Sequence, residues 1–135
     1  EVRLENYSKL IHIEALTMLD MANKDILPAM SRFTAELADA IAKKTAAKAP
    51  CQYEKGTLKD ISAELDAMYK AVKKLEADEV KGNDITDVVK LADFCRDVII
   101  PDMEEVRAHS DAMEMIAEQK AWPYPSYGKL LFGVR

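Results

Sequence analysis

The stretch TLKDISAELDAMYKAVKKL, residues 57–75, decides the fold. Its apolar residues are spaced alternately by three and four positions, which places them on one face of an α-helix. They are Leu58, Ile61, Leu65, Met68, Val72 and Leu75. A stripe of this kind packs against neighbouring helices. Thr57 and Asp60 are expected to cap the start of this helix, and Gly82 with Asn83 is expected to end it.

A longer helix is predicted on either side, over residues 2–48 and 84–121, and each contains a proline. Pro28 lies in the motif DILPAM and Pro101 lies in the motif VIIPDM. An interior proline removes one backbone hydrogen bond, and its ring clashes with the carbonyl group four residues back. Because the apolar stripe continues on both sides of each proline, we expect two kinked helices. A hinge or a ligand contact at the freed carbonyl groups is the alternative interpretation.

Taken together, the three helices predict an all-α domain, an antiparallel bundle over residues 1–121 with an irregular apolar tail at residues 122–135. The tail, WPYPSYGKLLFGVR, contains two prolines before a glycine and cannot be regular helix. It is nevertheless rich in large apolar side chains, and an exposed apolar strip indicates an interaction surface. The candidate docking residues are Trp122, Tyr124, Tyr127, Leu130, Leu131 and Phe132.

The charge balance excludes several kinds of partner. The net charge is −5, from 24 acidic and 19 basic residues, which gives no electrostatic reason to bind nucleic acid or an anionic membrane. Cys51 and Cys95 form no disulfide framework and are expected to be free thiols in a reducing cytoplasm. The chain begins at Glu1 with helical periodicity already established, so we expect it to be a piece of a longer polypeptide.

No catalytic, cofactor-binding or metal-binding residue emerges from the residue patterns. Helical diiron proteins repeat a Glu-x-x-His motif, and neither His12 nor His109 has a glutamate three residues before it. The sequence contains neither a glycine-rich phosphate loop nor a G-x-S-x-G motif. The 7 methionines favour core filling, with an adaptable Met-rich groove for a partner as the alternative.

Three longer stretches carry a resemblance to a known family. They are RLENYSKLIHIEALTMLDMANKDILPAM (residues 3–30), CQYEKGTL (51–58) and LADFCRDVIIPDMEEVRAHSDAMEMIAEQKAWPYPSYGKLLF (91–132). The first resembles the start of the C-terminal helical region of type III glutamine synthetases, and the last resembles its end, with the Trp-Pro-aromatic-Pro-Ser-Tyr-Gly run. The resemblance covers nearly the whole chain.

The resemblance implies a parent enzyme that joins ammonia to glutamate through a γ-glutamyl phosphate, using ATP and Mg²⁺ or Mn²⁺. It also implies a large cytoplasmic homo-oligomer, in which this segment contacts its own catalytic domain and neighbouring subunits. The family's catalytic motifs do not occur in these residues, so the segment alone is expected to be inactive. A free-standing helical adaptor that binds a partner through a Met-rich face is the alternative hypothesis.

Overall fold

The computed structural model describes residues 2–125, and within that range all regular structure is helical. The first of three helical runs comprises α1 (Val2–Met21), a π-helical segment (Ala22–Ile26) and α2 (Leu27–Ala46). The second is α3 (Gln52–Asn83). The third comprises α4 (Val88–Phe94), a second π-helical segment (Cys95–Ile99) and α5 (Ile100–Ile116). The predictions of an all-α fold and of three helical runs are therefore confirmed.

Helix α3 lies at the centre of the fold and packs against both α2 and α5. Four of the six positions of its apolar stripe are fully buried: Ile61, Met68, Val72 and Leu75 are each 0% exposed, whereas Leu58 and Leu65 are half-buried. Met30 of α2 and Met113 of α5 are also 0% exposed and belong to the same core. Removing side chains of this size from water supplies the main free energy of folding, at about 1.5–3 kcal/mol each.

Polar contacts show which parts of the helices meet. Near the start of α1, His12 contacts Glu79 near the end of α3, whereas Lys44 near the end of α2 contacts Glu54 near the start of α3. The third run behaves likewise, because Asp102 contacts Lys74 whereas the later His109 contacts the earlier Glu64. Later positions of the first run therefore meet earlier positions of α3.

Each proline lies one residue beyond a π-helical segment, after Leu27 in the first run and after Ile100 in the third. The N–H of Leu27 donates to the carbonyl of Ala22, and the N–H of Ile100 donates to the carbonyl of Cys95. Both hydrogen bonds reach five residues back, which widens the turn by one residue. A wider turn accommodates a ring that would otherwise strike the carbonyl group four residues back, so both helical runs continue through the proline.

Three predicted helix boundaries are wrong. Helix α3 begins at Gln52, so Thr57 is a buried residue inside the helix and does not cap it. Gly56, predicted to break the chain, lies inside this helix, and a Cβ there would meet open space. Asp87 caps α4, its carboxylate accepting a hydrogen bond from the backbone N–H of Lys90 at 2.9 Å. Helix α5 ends at Ile116.

Among the described residues, no helix combines the length and the apolar character that crossing a membrane would require.

Candidate functional site

Two buried carboxylates share one lysine between α3 and α5. The Nζ atom of Lys74 lies 2.9 Å from Oδ2 of Asp78 and 2.7 Å from Oδ1 of Asp102. Both aspartates are 6% exposed. Burial, together with the neighbouring Asp78, raises the pKa of Asp102 to about 6, although Lys74 opposes the shift. The neighbouring Asp102, and then Lys74, lowers the pKa of Asp78. This cluster joins the two helices directly after Pro101.

Both histidines are paired with carboxylates. Nδ1 of His109 lies 2.7 Å from Glu64 of α3, and its Nε2 lies 2.8 Å from Glu105. The hydrogen bond with Glu64, and then that with Glu105, raises the pKa of His109 above its ordinary value. His12 pairs with Glu79, as described above. Each histidine therefore links the outer runs to α3, as expected for a bundle histidine whose hydrogen bonds are satisfied.

The two cysteines are buried free thiols, as predicted. Burial raises the pKa of the Cys95 thiol, which disfavours the thiolate that nucleophilic chemistry requires. Within residues 2–125, no three side chains of the histidine, cysteine, aspartate or glutamate type are grouped to hold a metal ion.

An apolar row lies on the outer side of α1. Leu10, Ile13 and Leu16 are 55%, 59% and 48% exposed, and Met21 continues the row at 39%. These side chains alternate with the buried stripe of the same helix, so α1 is apolar on two sides. Sequence reasoning missed this row because it followed only the stripe that faces the core. Large exposed apolar side chains grouped together indicate a surface that another body covers.

Beside this row, a groove separates α1 and the first π-helical segment from α5. We call it the α1–α5 groove, and its volume is about 480 Å³. Its floor is apolar, with Met68 and Met103 at the base, and its rim carries Glu14 and Arg107. The remaining lining residues are Ile13, Thr17, Met18, Met21, Ala22, Ile26, Val106 and Ser110.

The predicted docking residues are only partly described by the structure. Trp122 and Tyr124 are half-buried and pack against the hydrophobic core of this chain. The hydroxyl of Tyr124 donates to Oδ2 of Asp25 at 2.6 Å, and burial, with Asp25 second, raises the pKa of Tyr124 to about 12. Tyr127, Leu130, Leu131 and Phe132 lie outside the described residues. The docking role of the tail stays a prediction.

The comparisons with known proteins agree with the sequence resemblance. Residues 1–45 match a family model described as the glutamine synthetase C-terminal domain. The whole chain is 35% identical to a glutamine synthetase of Butyrivibrio fibrisolvens, of which it covers 20%. Across 98% of its length it is 31% identical to a type-3 glutamine synthetase of Dictyostelium discoideum, of which it covers 19%. A glutamine synthetase of Bacteroides fragilis is 26% identical over 98% of the chain, which covers 19% of that protein. No solved structure matches the chain.

The chain thus spans about a fifth of the length of the curated relatives it matches. The class of protein is a helical domain related to glutamine synthetases. The resemblance to the C-terminal helical domain of type III glutamine synthetases, predicted from the sequence, is confirmed.

The comparisons give no support to the alternative of a free-standing adaptor with a Met-rich face. Met30, Met68, Met103 and Met113 are buried in the core, so core filling is what most of the methionines do. Met115 is 88% exposed and stands apart from the groove.

Proposed function

We propose that this chain is a non-catalytic accessory and assembly domain at the C-terminus of a type III glutamine synthetase. The observation that carries the proposal is the match of the whole chain to about a fifth of such proteins. The parent reaction is the ATP-dependent ligation of ammonia to glutamate. ATP and Mg²⁺ or Mn²⁺ belong to the catalytic part of the parent, and the parent belongs to the cytoplasm.

The architecture that supports this role is an antiparallel bundle with bends at Pro28 and Pro101. Later positions of the first helical run contact earlier positions of α3, and this reversed order favours the antiparallel arrangement. The two π-helical segments favour a change of direction at each proline. Bent helices allow a long bundle to follow the surface of a larger body.

We place the docking surface on the α1 side of the domain. The two candidate surfaces are the apolar row of α1 and the predicted docking strip, and they meet on this side. Tyr124 of the strip donates a hydrogen bond to Asp25, which lies one helical turn after Met21 of the apolar row. The partners are the catalytic domain of the same chain and the neighbouring subunits of a homo-oligomer. The acidic net charge disfavours nucleic acid and membrane partners.

The test replaces two row residues in a full-length type III glutamine synthetase that carries this domain. Leu10→Ser with Ile13→Ser removes two exposed apolar side chains, each worth about 2 kcal/mol when buried at an interface. We expect the oligomer to dissociate at a protein concentration more than tenfold higher, as measured by sedimentation velocity. Val80→Ser with Val89→Ser, at comparably exposed positions outside α1, is the matched control.

Unchanged assembly in the Leu10→Ser, Ile13→Ser variant would contradict the docking surface. A second measurement addresses the accessory role itself. The isolated chain, incubated with glutamate, ammonia, ATP and Mg²⁺, is expected to form no glutamine. Turnover by the isolated chain would overturn the proposal.

A further inference from the structure

A cleft of about 380 Å³ lies between the start of α1, the end of α3 and the third helical run. We call it the α1–α4 cleft. One wall is apolar and comes from the third run, with Val88, Leu91 and Phe94 among its side chains. The opposite wall is more polar and includes Ser8 of α1 and Glu79 of α3. A cleft of this size, with an apolar wall and a few polar groups, is typical of a site for a small ligand.

The hydroxyl group of Ser8 is buried without a partner. Ser8 is 5% exposed, and its Oγ atom makes no hydrogen bond to any residue between positions 2 and 125. Buried polar side chains are usually hydrogen-bonded, because burial removes the water that would otherwise bind them. Since Ser8 lines the cleft, its hydroxyl is a hydrogen-bonding group for a molecule that enters there.

The carboxylate of Glu79 is buried beside the same cleft. Glu79 is 9% exposed, and within residues 2–125 it pairs with Nδ1 of His12 through the Oε1 atom alone. Its second oxygen, Oε2, is left to accept a hydrogen bond from a molecule in the cleft. A buried carboxylate is costly unless positive charge and hydrogen bonds compensate it.

Cys95 links these two groups, because both of them act on its thiol. Burial raises the pKa of Cys95, the Ser8 hydroxyl opposes that shift, and the charge of Glu79 adds to it. The thiol itself lines the cleft. Ser8 and Glu79 therefore lie around one point of the cleft wall, where a single small group contacts both.

The side chains that can carry charge in the lining are Glu5, Lys9, His12 and Glu79. Glu5 and Lys9 are exposed and lie one turn apart on α1, so their charges offset each other at the mouth of the cleft. The side chain of His12 is 44% exposed and already faces Glu79. The buried part of the cleft therefore offers a carboxylate oxygen and a hydroxyl oxygen, which are both acceptors.

We propose that the α1–α4 cleft binds a small primary amine that has an apolar body. A primary ammonium group carries three donors, which supply one hydrogen bond to Oε2 of Glu79 and one to Oγ of Ser8. Its positive charge compensates the buried carboxylate, and hydrogen bonds between charged groups are stronger than neutral ones. The apolar body packs against Leu91 and Phe94, so that the ligand joins α1, α3 and α4.

Isoleucine methyl groups report the binding directly. Ile85 and Ile99 line the α1–α4 cleft, whereas Ile13 and Ile26 line the α1–α5 groove. With ¹³C-methyl isoleucine in this chain, 2-phenylethylamine should shift the resonances of Ile85 and Ile99 in a saturable way. Those of Ile13 and Ile26 should stay in place, which controls for unspecific binding to apolar surface.

Two further probes of similar size test the amine itself. 2-Phenylethanol replaces the ammonium group by a hydroxyl group, and 3-phenylpropionate replaces it by a carboxylate. We expect the amine to bind about tenfold more tightly than the alcohol, because only the amine makes charge-assisted hydrogen bonds to Glu79. The carboxylate probe should bind most weakly of the three.

Glu79→Gln keeps the shape of the side chain and an acceptor for His12 but removes the charge. It should lower the affinity for 2-phenylethylamine about tenfold, to that for the alcohol. Glu64→Gln is the matched control, because Glu64 also lies on α3 and pairs with a histidine, His109, but does not line the cleft. Its affinity for the amine should equal that of the unaltered chain.

Ser8→Ala tests the unpartnered hydroxyl group. The variant should bind the amine several-fold more weakly, because one acceptor is lost. In the absence of ligand it should unfold at the same temperature as the unaltered chain or higher, because the hydroxyl makes no bond there. A lower unfolding temperature would show that the chain itself satisfies Ser8, and the proposal would fail.

Three results of the binding experiment would also overturn the proposal. They are the absence of saturable shifts at Ile85 and Ile99, equal shifts at Ile13 and Ile26, and an affinity for either other probe that matches that for the amine. The measurement uses this chain alone and no catalytic activity, so its outcome is independent of the proposed role in a glutamine synthetase.

Discussion

The π-helical segments Ala22–Ile26 and Cys95–Ile99 share a local backbone but differ in what surrounds them. Each is followed, one residue later, by a proline. Around the first, the polar contacts are on the surface: Asn23 with Glu76, and Asp25 with Tyr124. After the second, two buried carboxylates converge on Lys74. The same backbone conformation therefore lies beside the returning chain at one site and beside buried charge at the other.

The difference indicates that the second segment is the more firmly held of the two. Ile99 is 0% exposed and Ile26 is 7% exposed, so the second segment also inserts its isoleucine more deeply. Surface hydrogen bonds contribute little to stability, whereas a fully buried apolar side chain contributes much more. Substitutions at matched positions of the two segments test this comparison.

The largest expected effect comes from the two isoleucines. Ile99→Ala should lower the free energy of unfolding by about 3–4 kcal/mol, because it opens a cavity that the packed core cannot fill. Ile26→Ala should cost about 2 kcal/mol, at the low end of the same range. Urea unfolding followed by circular dichroism measures both, and Ile13→Ala on the exposed row is the control, expected within about 0.5 kcal/mol of the unaltered chain. An equal loss for Ile26→Ala and Ile99→Ala would remove the distinction between the segments.

A smaller effect is expected from the charge cluster after Pro101, and it depends on pH. The pKa of Asp102 is about 6 in the folded chain, above its ordinary value of 3.8. Between these values the folded state binds a proton that the unfolded state does not, so this group makes stability fall as the pH rises from about 4 to about 6. The lowered pKa of Asp78 acts in the opposite sense, but below that window.

Asp102→Asn isolates this contribution. In the variant, the decrease in stability between pH 4 and pH 6 that comes from Asp102 should be absent. At pH 7.5 the variant should be more stable than the unaltered chain by roughly 1 kcal/mol. Thermal unfolding at a series of pH values measures the stability of both chains. Because His109 is present in both, its contribution cancels when the two stabilities are subtracted. A parallel pH dependence in both chains would contradict the assignment of the raised pKa to Asp102.

The smallest effect is expected at the first segment. Tyr124→Phe removes one hydrogen bond to Asp25 and keeps the ring packed, so the loss of stability should be about 0.5–1 kcal/mol. Asp25→Asn should lower the pKa of Tyr124 from about 12, as followed by its ultraviolet absorbance, because one carboxylate beside the phenol is removed. A loss as large as that of Ile99→Ala would show that the returning chain holds the first segment as firmly as the core does.

The sequence predicts much of the fold because its periodicity is regular. The stripe from Leu58 to Leu75 predicts α3 and its buried positions, and the continued stripe across Pro28 and Pro101 predicts helices that pass through both prolines. It does not predict the π-helical segments, since a proline shows only which hydrogen bond is missing and not how the chain adjusts. Thr57 illustrates a different limit: its capping pattern is overridden because α3 already begins at Gln52 and continues through Gly56.

The candidate surfaces are harder to predict. The tail is visible from its composition, but the bond from Tyr124 to Asp25 joins residues 99 positions apart and leaves no local signal. The outer row of α1 is hidden in the sequence because Leu10 and Ile13 interleave with the buried stripe of the same helix. Similarly, the sequence does not distinguish the cluster of Lys74, Asp78 and Asp102 from ordinary charged residues on the surface of a helix.

Each π-helical segment also has a geometric consequence for everything that follows it. An extra residue in one turn rotates all later side chains by about 100° around the helix axis, relative to an uninterrupted α-helix. Met30, Phe33 and Leu37 are buried in the core after that rotation. The segment therefore behaves as a one-residue insertion absorbed within one turn, and deleting one of its residues would restore an α-helical turn while the apolar side of α2 keeps its direction.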